Sequence, residues 1–151
     1  MGNLVTDSWL YAYPNADISM TNGGGIRQNI YQGDITLESI VGVLPFLNTL
    51  YELELTGTEV IDCIGNYLIG GMTTIGGFYL SDGTPIEPDS VYAVLTTDYL
   101  YSLENSKFAK YDPNPYNTSI IYMQPTVDWI RSKNTNAQNP INNYLDSTPR
   151  R

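Results

Sequence analysis

The segment Ala16–Arg27, ADISMTNGGGIR, constrains this chain more than any other. Ile18 and Met20 alternate with Asp17, Ser19 and Thr21, which predicts a half-buried strand over Asp17–Thr21. Gly23, Gly24 and Gly25 then permit positive φ and let another group approach the main chain closely. Arg27 follows, with a planar five-donor fork suited to phosphate or carboxylate. A strand that turns sharply and presents Asn22 and Arg27 makes a candidate ligand corner. The same residues also fit a plain glycine turn followed by a surface arginine.

Around that corner the patterning predicts a mixed α/β chain of one domain over its 151 residues, with no internal repeat. Asn3–Leu10 reads as a short helix ended before Pro14. Thr36 is placed to cap a helix over Leu37–Val43 whose apolar side is Ile40, Val41 and Leu44. Thr49–Leu55 alternates as a strand, with Tyr51, Leu53 and Leu55 on one face. Thr56 and Glu59 form a capping box for a helix expected to run as far as Gly70–Gly71. Gly77–Leu80 and Ser90–Thr96 read as strands, Pro113–Asn117 as a loop, and Thr126–Ser132 as a helix started by Pro125. Asn134–Asn143 is polar and reads as irregular. Asn3 and Asp7 are expected to cap a helix start, Asp34 to serve a turn, and Cys63 to sit in the core. Arg150 and Arg151 read as a tail without a role.

Composition excludes several chemistries. The chain contains no histidine, so no Ser-His-Asp or Cys-His site exists within it. One cysteine allows neither an internal disulfide nor a cysteine metal cluster. A net charge of −9 argues against nucleic acid and anionic membranes as partners. No apolar run approaches the length of a membrane span, and no signal peptide is visible. Thirteen tyrosines against three phenylalanines fit either a recognition surface that stacks on planar groups or a half-wet sheet.

TNGGGIR, GDIT at Gly33–Thr36, VLPFLNTL at Val43–Leu50 and LTG at Leu55–Gly57 follow one another with short gaps, after an opening MGNLVTD. This order resembles the C-terminal domain of the 5′-nucleotidase / UDP-sugar hydrolase family, clearly from Gly2 to about Gly57 and more weakly beyond. The resemblance implies mixed sheets packed with helices in a layered sandwich. It also implies a chain truncated at its N-terminal edge and lacking the metallophosphoesterase domain that precedes it in the family. Phe46 is then one half of an aromatic clamp on a nucleobase. Asn22 bonds the base or closes the pocket beside Gly24 and Gly25, and Arg27 meets the anionic or ribose side. The family's second aromatic follows a GGDG turn that is absent here, where the region reads DYLYSLENSKFAKYD. Phe108 is the nearest candidate by spacing, with Tyr99, Tyr101 and Tyr111 as rivals, and Asp112 is the candidate ribose ligand. Leu47 replaces the usual glycine of LPFG, which implies a bulkier wall.

The function implied is the substrate-binding and specificity domain of a metal-dependent phosphohydrolase of nucleotide catabolism. No catalytic residue and no metal ligand is expected in this chain. Two divalent ions are implied in the N-terminal metallophosphoesterase domain, the expected partner alongside a nucleotide or nucleotide-sugar substrate. A periplasmic, extracellular or cell-surface location is implied as well. The alternative is a non-catalytic module for a nucleotide, nucleotide sugar or glycan, and a third reading is a structural domain with a decayed corner.

Overall fold

The polar residues of the first strand are as buried as its apolar ones. Ile18, Ser19, Met20 and Thr21 form β1, and all four are buried, so the half-buried alternation expected there does not hold. The reason lies in α1, Gly2–Ala12, which covers the face carrying Ser19. The Ser19 hydroxyl donates to the Thr6 carbonyl at 2.9 Å, removing the cost of burying it. In this computed structural model, which describes residues 1–151, a five-stranded sheet lies between two helical layers.

The other strands of that sheet are β2 (Thr49–Thr56), β3 (Leu68–Gly70), β6 (Val91–Thr97) and β7 (Tyr116–Ile121). Their order is β3-β1-β6-β2-β7. Only β1 and β6 run parallel, with Ile18 opposite Val94; every other pair is antiparallel. β2 and β6 pair along their whole lengths, from Leu50 opposite Thr97 to Thr56 opposite Val91. A small hairpin of β4 (Met72–Thr73) and β5 (Tyr79–Leu80) stands beside the sheet.

On one face, Ile18, Met20, Leu53, Leu55 and Val94 pack against α3 (Gly57–Cys63) and against two short helices, α4 (Asp98–Ser102) and α5 (Lys107–Tyr111). On the other, Leu50 and Leu95 meet Val5 and Trp9 of α1 and Val43 of α2 (Leu37–Val43). α6 (Gln124–Ser132) closes that layer, its Thr126 hydroxyl 2.8 Å from that of Ser8 on α1. The layered α/β sandwich implied by the resemblance is therefore observed.

Local signals act where short-range bonds decide. Thr36 accepts from the Ser39 amide and its own amide donates to the Ser39 hydroxyl, closing a capping box. Thr56 and Glu59 do the same for α3. Other expectations need correction. The buried side of α2 is Ile40 and Val43, continued by Leu44, while Val41 is exposed. α3 ends at Cys63, because Gly65 takes φ +44° and breaks it. Leu68–Gly70 then becomes an edge strand on β1. A Cβ at Gly70 would meet the Ser19 hydroxyl at 2.4 Å, and one at Gly71, whose φ is +75°, would meet the Asp17 carbonyl oxygen at 2.0 Å. Those glycines exist to bring strands together, not to stop a helix. The expected Pro113–Asn117 loop runs into β7, which begins at Tyr116.

The C-terminal residues also have a structural task that their appearance as a tail concealed. The Arg150 guanidinium, 10% exposed, forks onto both Asp7 oxygens at 2.7 Å and reaches Asp146 at 2.8 Å. Its carbonyl accepts from the Thr74 amide, and Asn3 donates to the carbonyls of Asp146 and Thr148. Asn3 and Asp7 therefore hold the tail on α1 instead of capping the helix. Arg151 donates to the carbonyls of Tyr67 and Gly65.

Burial alone would lower the Arg150 pKa, but bonds to Asp7 and Asp146 raise it overall. The Thr148 hydroxyl and then Arg150 pull Asp146 down to about 2. Its pairing therefore stabilises the fold above the unfolded-chain value of about 3.9 and is lost as pH falls toward about 2. Arg150→Ala is expected to cost about 1–2 kcal/mol in urea unfolding at pH 7, by removing the fork on Asp7 and the tie to the Ile69 carbonyl, while the exposed Asp146 carboxylate returns to water. The difference from the parent should shrink in acid below about pH 4.

Candidate functional site

Strand directions bring four separate segments to one end of the sheet. β1 and β6 are parallel, so Thr21 and Thr97 finish at the same edge. β2 is antiparallel to β6 and starts there at Thr49, just after Phe46–Asn48. β7 is antiparallel to β2 and ends there, with Ile121 opposite Thr49, and delivers Tyr122. Where two parallel strands of an open sheet end side by side, their carboxyl ends can leave a crevice for a ligand, and β1 and β6 are such a pair. A concavity of about 310 Å³ occupies that position here.

The glycine corner forms its first wall. Gly23–Gly25 make one turn of 3₁₀ helix, with Gly25 N–H bonded to the Asn22 carbonyl and Ile26 N–H to that of Gly23. None of the three takes a positive φ, contrary to the expected reason for their presence. Their smallness serves close approach instead. A Cβ on Gly24 would lie 3.2 Å from the Asn22 amide nitrogen, and one on Gly25 would lie 3.1 Å from the Asn22 amide oxygen. Asn22 thus folds across bare backbone. The Arg27 amide bonds to the Val43 carbonyl at 2.8 Å, tying the corner to the end of α2. Its guanidinium is exposed and uses one donor on the Gly24 carbonyl, leaving most of the fork unpaired.

The second wall carries two aromatic rings. Phe46 follows Leu44–Pro45 and is 44% exposed, while Tyr99 on α4 is 49% exposed; both line the concavity. Asn48 lines it too. Its amide nitrogen donates to Asp98 at 2.7 Å, and the other Asp98 oxygen accepts from the amide and hydroxyl of Thr49. Burial would raise the Asp98 pKa, but the Thr49 amide and then Asn48 hold it below the usual carboxylate range. Tyr122 closes the floor between the walls, and burial pushes its phenol upward.

The structure brings Asn22, Gly24, Gly25, Arg27 and Phe46 together around one hollow. It does not bring Phe108 or Asp112 there. Phe108 is 1% exposed and stacks on Tyr67 at 5.6 Å within the core. Asp112 accepts from the backbone amides of Glu54 and Asn114, bracing the edge of β2. Of the rivals, Tyr101 packs on Tyr51 and Tyr111 donates to Asp62, so Tyr99 alone reaches the hollow. Asn48, Thr97 and Tyr122 were not anticipated. Asn48 lay in view two residues beyond Phe46, whereas no local pattern marks Tyr122.

Chemically the hollow offers two flat faces, a guanidinium and two amide side chains, with no carboxylate on its lining. It suits a ligand that is planar at one end and anionic at the other. No group of three or more acidic, cysteine or histidine side chains is placed to hold a metal ion. No helix is long and apolar enough to cross a membrane.

Fold and hollow define a mixed α/β domain with an aromatic-walled pocket at a sheet end. Comparison with known proteins gives the family. Residues 1–78 match the model of the 5′-nucleotidase C-terminal domain, and the chain belongs to that family. It is similar to the endonuclease YhcR of Bacillus subtilis, 29% identical over 155 residues covering 87% of this chain and 12% of the relative. The trifunctional nucleotide phosphoesterase YfkN of the same organism is 43% identical over 67 residues, 42% of this chain and 5% of that protein. Among solved structures, the 5′-nucleotidase precursor of Thermus thermophilus superposes with a TM-score of 0.75 at 24% identity, over 87% of this chain and 32% of its own. The chain therefore spans well under two thirds of the length of these relatives.

Asp98→Ala is expected to cost about 1–3 kcal/mol at pH 7, by leaving the Thr49 amide and Asn48 without their acceptor. Because the folded state holds Asp98 below the unfolded value of about 3.9, that stabilisation is present above about pH 4 and lost in acid. Urea midpoints of parent and variant should therefore converge as the pH is lowered.

Proposed function

We propose that this domain grips the nucleoside end of a nucleotide or nucleotide sugar, as the specificity half of a 5′-nucleotidase-like phosphohydrolase. The observation that carries this is the sharing of one hollow by Phe46, Tyr99 and the free donors of Arg27. The rings stack a base from its two faces, and the asparagine amides bond its edge or the ribose. Arg27 meets phosphate. Tyr99, not Phe108, is the second aromatic on this reading, and no acidic residue of this chain takes the ribose role first given to Asp112.

Hydrolysis belongs to a separate metallophosphoesterase domain. Two divalent ions held there would activate water and offset charge developing at phosphorus. This chain has no histidine, and none of its acidic or cysteine side chains gather in threes or more where a metal ion could be held. Its own contribution is positional: holding the base fixes where the phosphate lies, which lowers the barrier through orientation. An exported location, periplasmic or at the cell surface, fits the description of the Thermus relative as a precursor.

Calorimetric titration with adenosine and AMP tests the grip. Phe46→Ala should weaken both ligands by about 1–3 kcal/mol, the worth of one base–aromatic stack. Arg27→Ala should weaken AMP and leave adenosine nearly unchanged. Equal binding by all three proteins would remove both residues from the site. The chain alone, supplied with Mg²⁺, Mn²⁺ or Zn²⁺, should release no phosphate from AMP in a colorimetric assay; turnover at enzymatic rates would refute the division of labour.

A further inference from the structure

We propose that Tyr122 is a positioning residue whose hydroxyl sets the spacing between the glycine corner and the Phe46 ring. The inference deepens the nucleotide reading and rests on it for the ligand, though not for the geometry.

Tyr122 is 2% exposed, and its phenol sits between the two walls of the hollow. The oxygen accepts from the Phe46 amide at 3.3 Å and donates to the Gly25 carbonyl at 3.3 Å. The Phe46 amide has no backbone acceptor, so this phenol is its partner. One hydroxyl can accept and donate at once, which a phenylalanine in the same place cannot do. The bridge itself is held from behind. The Tyr122 amide donates to the Asn48 carbonyl at 2.9 Å, and its carbonyl accepts from the Trp9 indole at 2.9 Å. The two rings meet edge to face at 6.4 Å. The Tyr122 hydroxyl thereby holds the backbone of Gly25 and Phe46, while the residue's own backbone is tied to Asn48 and, through Trp9, to α1. A phenol is protonated at neutral pH, and burial raises its pKa further, so the donor is present there.

The alternative is that Tyr122 is merely a core aromatic whose hydroxyl happens to be satisfied. Tyr122→Phe separates the two, since it keeps the ring and removes only the bridge. Amide exchange by NMR should show protection of the Phe46 N–H falling by roughly tenfold, with Leu53 and Val94 in the opposite core unchanged. Affinity for AMP should fall by roughly 5–10-fold, the worth of about one hydrogen bond. In a Phe46→Ala background the same change should weaken AMP by less than it does in the parent, because no ring remains to be placed and only the tether to Gly25 is lost. Unchanged exchange at Phe46 would overturn the proposal, as would a Tyr122→Phe protein that binds AMP like a binding-competent parent. A parent that binds neither adenosine nor AMP would defeat the nucleotide reading alone. The exchange measurement would still decide whether the bridge sets the geometry.

Discussion

The short parallel pairing of β1 with β6 is the constraint from which the hollow follows. Ile18 opposite Val94 and Ser19 opposite Leu95 fix the two strands in the same direction. Their carboxyl ends must then emerge side by side, one carrying Asn22 and the glycines, the other Thr97 to Tyr99. Were β1 antiparallel to β6, the corner and Tyr99 would lie at opposite ends of the sheet. Every later strand extends the same logic, since β2 begins and β7 ends at that edge. The site is therefore assembled from four distant segments by two antiparallel registers, β2 on β6 and β7 on β2, and one parallel register, β1 on β6.

That register is defended by polar groups buried on the α1 face as much as by the apolar core. Ser19, Thr6, Ser8, Thr126 and the indole of Trp9 each find a partner, and no buried side-chain polar atom is left without one. A slip of one residue would turn Ile18 and Met20 toward these groups and strand several donors at once. Hydrophobic burial drives the sandwich together, whereas the hydroxyl bonds choose among sandwiches. Trp9 belongs to both systems, and through the Tyr122 carbonyl it connects the α1 layer to the floor of the hollow.

The sequence signals that held are those in which a few adjacent residues decide their own geometry. Thr36 and Thr56 cap helices because the acceptor and the donor lie three residues apart. NGGGIR and LPF placed Asn22, Arg27 and Phe46, each on its own segment, and the family motif joined them. What remained hidden was set by distance or by lack of contrast. Arg150 finds Asp7 across 143 positions, and nothing near Pro149 foretells it. β7 is an edge strand with no buried residue, so its apolar and polar positions show no alternation to read. Spacing pointed to Phe108 over Tyr99 as a wall of the pocket. It could not foresee that α4 and α5 turn Leu100 and Phe108 inward and leave Tyr99 outward.

Phe46 and Tyr99 stay nearly half bare at the mouth of one hollow, where a single ligand could cover both. On the nucleotide reading, a base stacked between them regains about 1–3 kcal/mol per face, and the free donors of Arg27 add charge-assisted bonds. Association costs translational and rotational freedom, so only the surplus over that loss appears as affinity. On that reading, modest affinity suits a domain whose task is to position the substrate. A pocket that held the nucleoside far more tightly would deepen the ground state without favouring attack at phosphorus, and it would slow release of the product. The structure accordingly invests its rigidity in the frame behind the rings, at Tyr122, Trp9 and Asp98, and leaves the contact surface itself open.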